Sequence, residues 1–201
     1  MLYEHRGKRP IVDPSAYVSP SAVLCGEVQI GAGCAVGFGA VLSAESGSIA
    51  VGRECVIMEN VVIKASKRAP VKIGDHVLIG PRAYLTGCTD ETCAFLATGV
   101  AIFNHAVIGA RAEVRINGVV HLKTRLPADA TVPIGWVAVG DPAAILPPDQ
   151  HDRIWAIQEK LDFPQTIFGL ARPEPGATVM PELTRRYAAL LRAHAEDKAI
   201  G

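Results

Sequence analysis

Aliphatic residues recur at every sixth position between residues 30 and 120. Polar stretches at 43–48 and 64–70 interrupt the recurrence, and one step of five residues leads from Leu85 to Asp90. Six residues provide one short strand and one turn, and three such units make a coil that cannot bury its own apolar side. Neighbouring coils therefore have to stack. The residues that keep this spacing are Ile30, Val36, Leu42, Val51, Ile57, Ile63, Ile73, Ile79, Leu85, Asp90, Leu96, Ile102, Ile108, Val114 and Val120.

The repeat predicts an all-β solenoid, a parallel β-helix in which the repeat residues point inward and form columns. Glycine follows several repeat residues, for instance at Gly31 and Gly80, and we expect it to serve the tight corners of the coil. Composition agrees, because aromatic residues make up only 5% of the chain and aliphatic residues dominate its apolar part. We assign residues 1–146 to the β-helix.

The last quarter of the chain has a helical pattern. A helix start signal lies at 147–149 and is followed by apolar residues at helical spacing. After a stretch rich in proline and glycine, a second helix is expected over 182–197, with Leu183 and Tyr187 on one face. We therefore assign 147–201 to a C-terminal helical extension. Its second helix either packs on the β-helix or binds another protein.

Charge and targeting patterns argue against several classes of function. The chain carries 20 basic and 20 acidic residues without a basic stripe, so we expect no nucleic acid partner. No segment approaches the ~20 apolar residues that span a bilayer, and the charged start does not resemble a signal peptide. We therefore expect a cytoplasmic protein with no membrane partner.

The cysteines do not form a recognisable framework. There are five of them, none is spaced as CxxC, and an odd number cannot pair completely within one chain. This argues against a disulfide framework and against a structural zinc site of the usual spacing. Small buried residues in a reducing compartment are the simpler interpretation.

The order of motifs resembles the γ-carbonic anhydrase family over residues 10–160. The opening coils read PSAYVSPSAVLCGEVQIGAGCAVGFGAVL, and the β-helix ends in GWVAVGDPAAIL before PPDQHDRIWAIQEKLDF. Between them, VIMENVVIK at 56–64 and VKIGDHVLIGPRAYLTGC at 71–88 are the more specific segments. Generic hexapeptide acyltransferases usually lack this loop followed by a five-residue step. The resemblance implies a left-handed β-helix, a homotrimer, and a site at the interface between two subunits.

In that family three histidines hold zinc at the subunit interface. Matched by motif, their positions are occupied here by Lys64, Pro81 and Thr86, while Glu45 and Glu59 keep carboxylates of the same site. Pro81 offers no donor, Thr86 is a poor neutral ligand, and Lys64 is a cation where a dication would lie. We therefore expect no zinc cofactor. Without metal, water at this site is not acidified for the hydration of CO₂.

His121 is the histidine that best fits the repeat register. It follows Val120 and lies in the same column as Lys64 and Thr86, two coils further on. The residues that would complete a displaced triad are not metal ligands. His121 is therefore either a surface or interface residue or a catalytic base of the kind that hexapeptide acyltransferases use.

Two main functions remain open. The first is a non-catalytic homotrimer with a scaffold or regulatory role, which assembles with an active paralogue or another protein. The second is an enzyme that uses the inter-subunit cleft for metal-free chemistry on a small molecule or for acyl transfer. In that cleft Lys64, Glu59, Glu45 and Thr86 would supply acid, base or anion-binding groups. We expect Glu59 or Glu45 to hold Lys64, and a small anionic ligand to bind nearby. A third, weaker reading is carbonic anhydrase activity through unrecognised ligands.

Overall fold

The chain winds into a left-handed parallel β-helix of about eight turns, followed by two short helices. The computed structural model describes residues 1–174 and 176–200. Its strands are two or three residues long and form three faces of a prism. The fold class expected from the repeat is confirmed.

Each face is a ladder of strands from successive coils. The first face comprises, in spatial order, Ala144–Leu146, Val137–Val139, Val119–Val120, Ala101–Ile102, Tyr84–Thr86, Val62–Lys64, Val41–Ser43, Val23–Cys25, Leu2–Glu4 and Lys198–Ala199. The second face comprises Ile11–Val12, Val28–Ile30, Ile49–Val51, Val71–Ile73, Thr89–Asp90, Val107–Ile108 and Arg125–Leu126. The third face comprises Thr131–Val132, Glu113–Val114, Phe95–Leu96, Leu78–Ile79, Val56–Ile57, Ala35–Val36 and Tyr17–Val18.

The predicted repeat residues point inward and stack in columns. Ile63 is the Cα partner of Leu42 on one side and of Leu85 on the other, and all three are fully buried. Asp90 holds the same inward position on the second face, where it pairs with Ile73. The five-residue step therefore keeps the register of the coils, and it places a carboxyl group in an aliphatic column.

The glycines that follow repeat residues lie at the corners, where a strand passes into a turn. A Cβ on Gly31 would lie 2.3 Å from the carbonyl oxygen of Gly52 in the next coil, and one on Gly80 would lie 2.7 Å from Ala97. Positive φ angles occur at other positions, for instance at Asn60. Gly31 and Gly80 therefore serve the corners because the adjacent coil approaches too closely for a side chain.

The C-terminal extension contains two α-helices. Helix α1 spans His151–Gln158 and continues as a 3₁₀ turn at Glu159–Leu161; helix α2 spans Met180–Arg192 and continues as a 3₁₀ turn at Ala193–Glu196. A π-helical turn at Pro164–Phe168 lies between them, within the stretch expected to be irregular. None of the helices in the described ranges is long and apolar enough to cross a membrane.

The end of the chain returns to its beginning. The strand Lys198–Ala199 pairs antiparallel with Leu2–Glu4, which itself pairs in parallel with Val23–Cys25. The sequence pattern did not predict this strand. Its pairing brings the residues that follow α2 beside the first two coils.

Candidate functional site

Lys64 lies at the centre of a small polar cluster on the first face. It points outward because its neighbour Ile63 points into the core, and side chains alternate along a strand. Its ammonium nitrogen lies 2.9 Å from Oε1 of Glu45 and donates a hydrogen bond of 2.7 Å to the hydroxyl of Tyr187 in α2. The side chains of Lys64 and Glu45 are 24% and 19% exposed, so the pair is only partly screened by solvent.

This environment keeps Lys64 protonated. Partial burial disfavours its charged form, but the hydrogen bonds to Tyr187 and Glu45 outweigh burial and raise the pKa of Lys64 above its ordinary value. An ammonium group at neutral pH cannot accept a proton. Lys64 is therefore suited to hold a negative charge and is not suited to act as a general base.

A pocket of about 410 Å³ adjoins Lys64, between the first face and the C-terminal extension. Most of its lining is aliphatic or aromatic, with Lys64 and Arg186 as cations and Glu45 as the carboxylate. The β-helix contributes Glu45, Lys64, Ala65, Ser66, Tyr84, Thr86, Phe103 and Asn104, and the extension contributes Phe163, Ile167, Phe168, Leu170, Leu183, Arg186, Tyr187 and Leu190. In the described chain, the C-terminal extension thus forms one wall of this pocket.

A second pocket, of about 380 Å³, shares Arg186 and Asn104 with the first. Its lining includes Lys67 and Arg68 from the loop that interrupts the repeat, together with His105. Basic groups therefore extend from the Lys64 pocket toward the surface. Such an arrangement favours anions over cations.

The other predicted site residues are only partly brought together. Thr86 is the Cα partner of Lys64 on the neighbouring strand and lines the same pocket. Neither Glu59 nor Pro81 lines this pocket of the described chain, and Glu59 is exposed. The sequence predicted that either Glu45 or Glu59 would pair with Lys64. In the structure, Glu45 forms this ion pair.

His121 lies on the same face, beside Phe103, which lines the pocket. Its ring centroid is 6.0 Å from that of Phe103, and its Nδ1 is buried without a hydrogen-bond partner among the described residues. Burial lowers the pKa of His121, so the imidazole is predominantly neutral near pH 7. His121 does not line the pocket around Lys64.

A cluster of four potential metal ligands was missed by sequence reasoning. His5, Cys25, His194 and Asp197 place one ligand atom each within 4.8 Å of one another. Burial, reinforced by the nearby Asp197 carboxylate, raises the pKa of the Cys25 thiol to about 12. Cys25 and His194 are 169 residues apart, and only the i, i+3 spacing of His194 and Asp197 is a local signal.

Comparison with known proteins assigns the family. The profile described as the hexapeptide repeat of succinyl-transferase matches residues 27–65 and 70–110. Mitochondrial γ-carbonic anhydrase 2 of Arabidopsis thaliana is 34% identical over 145 residues, which are 69% of this chain and 50% of that protein. The chain is a γ-carbonic-anhydrase-like hexapeptide-repeat protein. It spans about half the length of the curated relatives it matches.

Solved structures agree on the fold of this γ-carbonic-anhydrase-like protein. A putative acetyltransferase from Bacillus cereus superposes with a TM-score of 0.64 at 20% identity, covering 79% of this chain and 91% of that one. A hexapeptide transferase family protein from Anaplasma phagocytophilum gives a TM-score of 0.52 at 26% identity, covering 78% and 89%. At this identity the Bacillus likeness concerns the fold alone.

The zinc that the resemblance implies does not fit the residues present. The ammonium of Lys64 is bound to Glu45 and Tyr187 in the position of one ligand. Pro81 has no side-chain donor, and the neutral hydroxyl of Thr86 is a weak one. A dication at this place would lie against a cation that its partners keep protonated.

Proposed function

We propose that this γ-carbonic-anhydrase-like protein is a non-catalytic homotrimer with a scaffold or regulatory role, and that its Lys64 pocket binds a small anion. The observation that carries the proposal is the Lys64–Glu45 ion pair. Lys64 occupies a position that the resemblance assigns to a zinc-binding histidine. The pair supplies charge at this place without supplying a metal-bound water. Hydration of CO₂ is therefore not expected.

The pocket chemistry favours an anion with an apolar body. Lys64 and Arg186 line it, and aromatic and aliphatic side chains make up most of the remaining surface. A carboxylate on a short alkyl chain would place its charge beside Lys64 and its carbon atoms against residues such as Phe168 and Leu183. Such a ligand would compete with Glu45 for the ammonium group.

The outer side of the third face supports a trimer. Its strands carry an outward ladder of apolar side chains, in which Ala35 pairs with Tyr17 and Val56, and Leu78 pairs with Val56 and Phe95. Tyr17 is 54% exposed, Val56 40% and Phe95 36%. A contiguous apolar strip of this kind marks an interaction surface. The resemblance to γ-carbonic anhydrases makes copies of this chain, or an active paralogue, the expected occupants.

Catalysis of acyl transfer or other metal-free chemistry is the second candidate, but no group in the pocket favours it. Lys64 is held protonated, and His121 does not line the pocket. A cytoplasmic location remains part of the proposal. It rests on the odd number and irregular spacing of the five cysteines, which argue against a disulfide framework.

Binding of butyrate, compared with its neutral isostere butyramide, tests the anion site. We expect calorimetric titration of the wild-type protein to detect butyrate and not the amide, and Lys64→Met to abolish the difference. CO₂ hydration is measured in parallel, with zinc added, and should equal the uncatalysed rate. Hydration above that rate, or equal affinity for the amide, would contradict the proposal.

A further inference from the structure

Four side chains from distant parts of the chain converge where its two ends meet. Oδ1 of Asp197 lies 2.5 Å from Nδ1 of His5, and Oδ2 lies 2.7 Å from Nδ1 of His194 and 3.2 Å from Sγ of Cys25. Sγ of Cys25 lies 3.9 Å from Nδ1 of His194, and the two imidazole rings stack with centroids 4.4 Å apart. One potential donor atom of each residue therefore lies within 4.8 Å of the other three.

The donor set is one that zinc prefers. One thiol, two imidazoles and one carboxylate provide four ligands of the types found in tetrahedral zinc sites. Ligand atoms bound to zinc at their usual distances are about 3.3–3.8 Å apart, and the cluster spans separations from 2.5 Å to 4.8 Å. Rotation of the Asp197 carboxylate and small movements of the rings would suffice to admit the ion.

Burial separates this cluster from a chance grouping of surface residues. His5 is 2% exposed and Cys25 is 5% exposed, and the side chains of Asp197 and His194 are 11% and 29% exposed. Without metal, the Cys25 thiol donates a hydrogen bond to Asp197, and a thiolate beside that carboxylate would be costly unless a cation neutralised both. A dication would balance the two negative charges while the imidazoles stay neutral.

We propose that His5, Cys25, His194 and Asp197 form a zinc site, distinct from the Lys64 pocket, that fastens the C-terminal extension to the first two coils. With four protein ligands the site is closed, which is typical of structural zinc and leaves no position for a catalytic water. Binding replaces the thiol proton of Cys25, which passes to solvent. The expectation that the chain holds no zinc then applies to the Lys64 position alone.

The site would act on the Lys64 pocket through α2. His194 and Asp197 follow α2 closely, and α2 carries the Tyr187 hydroxyl that accepts a hydrogen bond from Lys64. Cys25 lies in the same column of the first face as Lys64, with Ser43 between them. A metal at the chain ends would thus fix the helix that closes the pocket.

Zinc content of the untagged protein tests the site. The protein is stripped with chelator, reloaded with zinc and dialysed, and the metal is measured by elemental analysis. We expect about one zinc per chain for the wild type and a loss of at least tenfold in affinity for Cys25→Ser and for His194→Ala. Zinc should also raise the melting temperature of the wild type and not that of Cys25→Ser. Cobalt in place of zinc should give a thiolate-to-metal charge-transfer band that Cys25→Ser removes.

Matched variants locate the metal. Cys93→Ser and His151→Ala change exposed residues of the same types and should keep full zinc content. Lys64→Met should also keep it, and zinc that disappears with Lys64→Met would assign the metal to the pocket and overturn the site. Should Cys25→Ser fail to fold, Asp197→Asn serves in its place. A wild type that holds no zinc after reloading, or a Cys25→Ser protein that holds as much as the wild type, refutes the proposal.

Discussion

The ammonium of Lys64 lies 2.7 Å from the phenolic oxygen of Tyr187, a residue 123 positions further along the chain. This contact joins the β-helix to α2 at a position that the resemblance assigns to a zinc-binding histidine. With Glu45 at 2.9 Å, Lys64 forms an ion pair and one further hydrogen bond there. The consequences can be measured.

Lys64→Ala should lower the free energy of unfolding by about 1–2 kcal/mol, because it leaves the partly buried Glu45 carboxylate without its cation. Chemical denaturation of the two proteins measures the difference. The double variant Lys64→Met, Glu45→Gln removes both charges and should recover part of the loss. If the double variant is no more stable than Lys64→Ala, the ion pair is not what stabilises this region.

Histidines at the three family positions should create zinc affinity at the subunit interface. Lys64→His, Pro81→His and Thr86→His are combined in a Cys25→Ser background, so that metal at the chain ends does not contribute. Lys64 and Thr86 are Cα partners, and Pro81 does not line their pocket. Because the resemblance implies a site shared by two subunits, we expect the complete triad to form only in the trimer. Elemental analysis should find zinc in the triple variant and far less in the variant that retains Pro81. A folded trimeric triple variant without zinc would show that these positions are wrongly assigned.

Asp90 should make stability depend on pH. Burial in the aliphatic column raises the pKa of Asp90 to about 7, whereas an unfolded chain gives aspartate its ordinary value near 4. Between these values the folded state binds the proton and the unfolded state does not. The contribution of Asp90 to stability therefore falls as pH rises from about 4 to about 7 and then levels off.

Asp90→Val tests this dependence, since a β-branched side chain matches the partners Ile73 and Ile108 in the column. The variant should be more stable than the wild type by about 2–4 kcal/mol at pH 8 and much closer to it at pH 4. Thermal denaturation across this range provides the measurement. Asp152→Asn, at an exposed position of α1, is the control and should leave the profile unchanged. A constant difference between Asp90→Val and wild type at all pH values would count against a buried neutral carboxyl.

Charges on the third face should dissociate the trimer. Val56→Glu combined with Phe95→Glu places two carboxylates in the outward apolar ladder, where burial at an interface would be costly. Native mass measured at micromolar concentration should change from three chains to one. Lys72→Glu, which alters an outward residue of the second face, should leave the trimer intact. A wild-type protein that is monomeric under these conditions would contradict the proposed trimer and its interface on the third face.

The interior of the β-helix could be predicted from the sequence because every coil repeats the same burial pattern. A single register, fixed by residues such as Leu42 and Ile63, determines the inward positions of all later coils, including Asp90 after its short step. The reason why the corners need glycine could not be predicted in this way. These glycines are needed because a neighbouring coil lies close to them. That distance depends on how the coils stack, and a local sequence pattern does not show it.

The sequence predicted only the part of the candidate site that lies within the β-helix. Lys64, Thr86 and Glu45 lie in adjacent coils, so the register brings them together. Tyr187 and the cluster around Asp197 depend on how the extension folds back, and no repeat describes that path. His5 and Asp197 are 192 residues apart, and nothing in their sequence surroundings indicates contact.

The two ends of the first face also decide how copies of the chain can associate. At one end Ala144–Leu146 runs antiparallel to its neighbour, and at the other Lys198–Ala199 does the same. A further coil added to either end would meet a strand of the wrong direction for the parallel ladder. On the first face these reversed strands therefore act as end caps, which oppose fibre growth by extension of its parallel ladder.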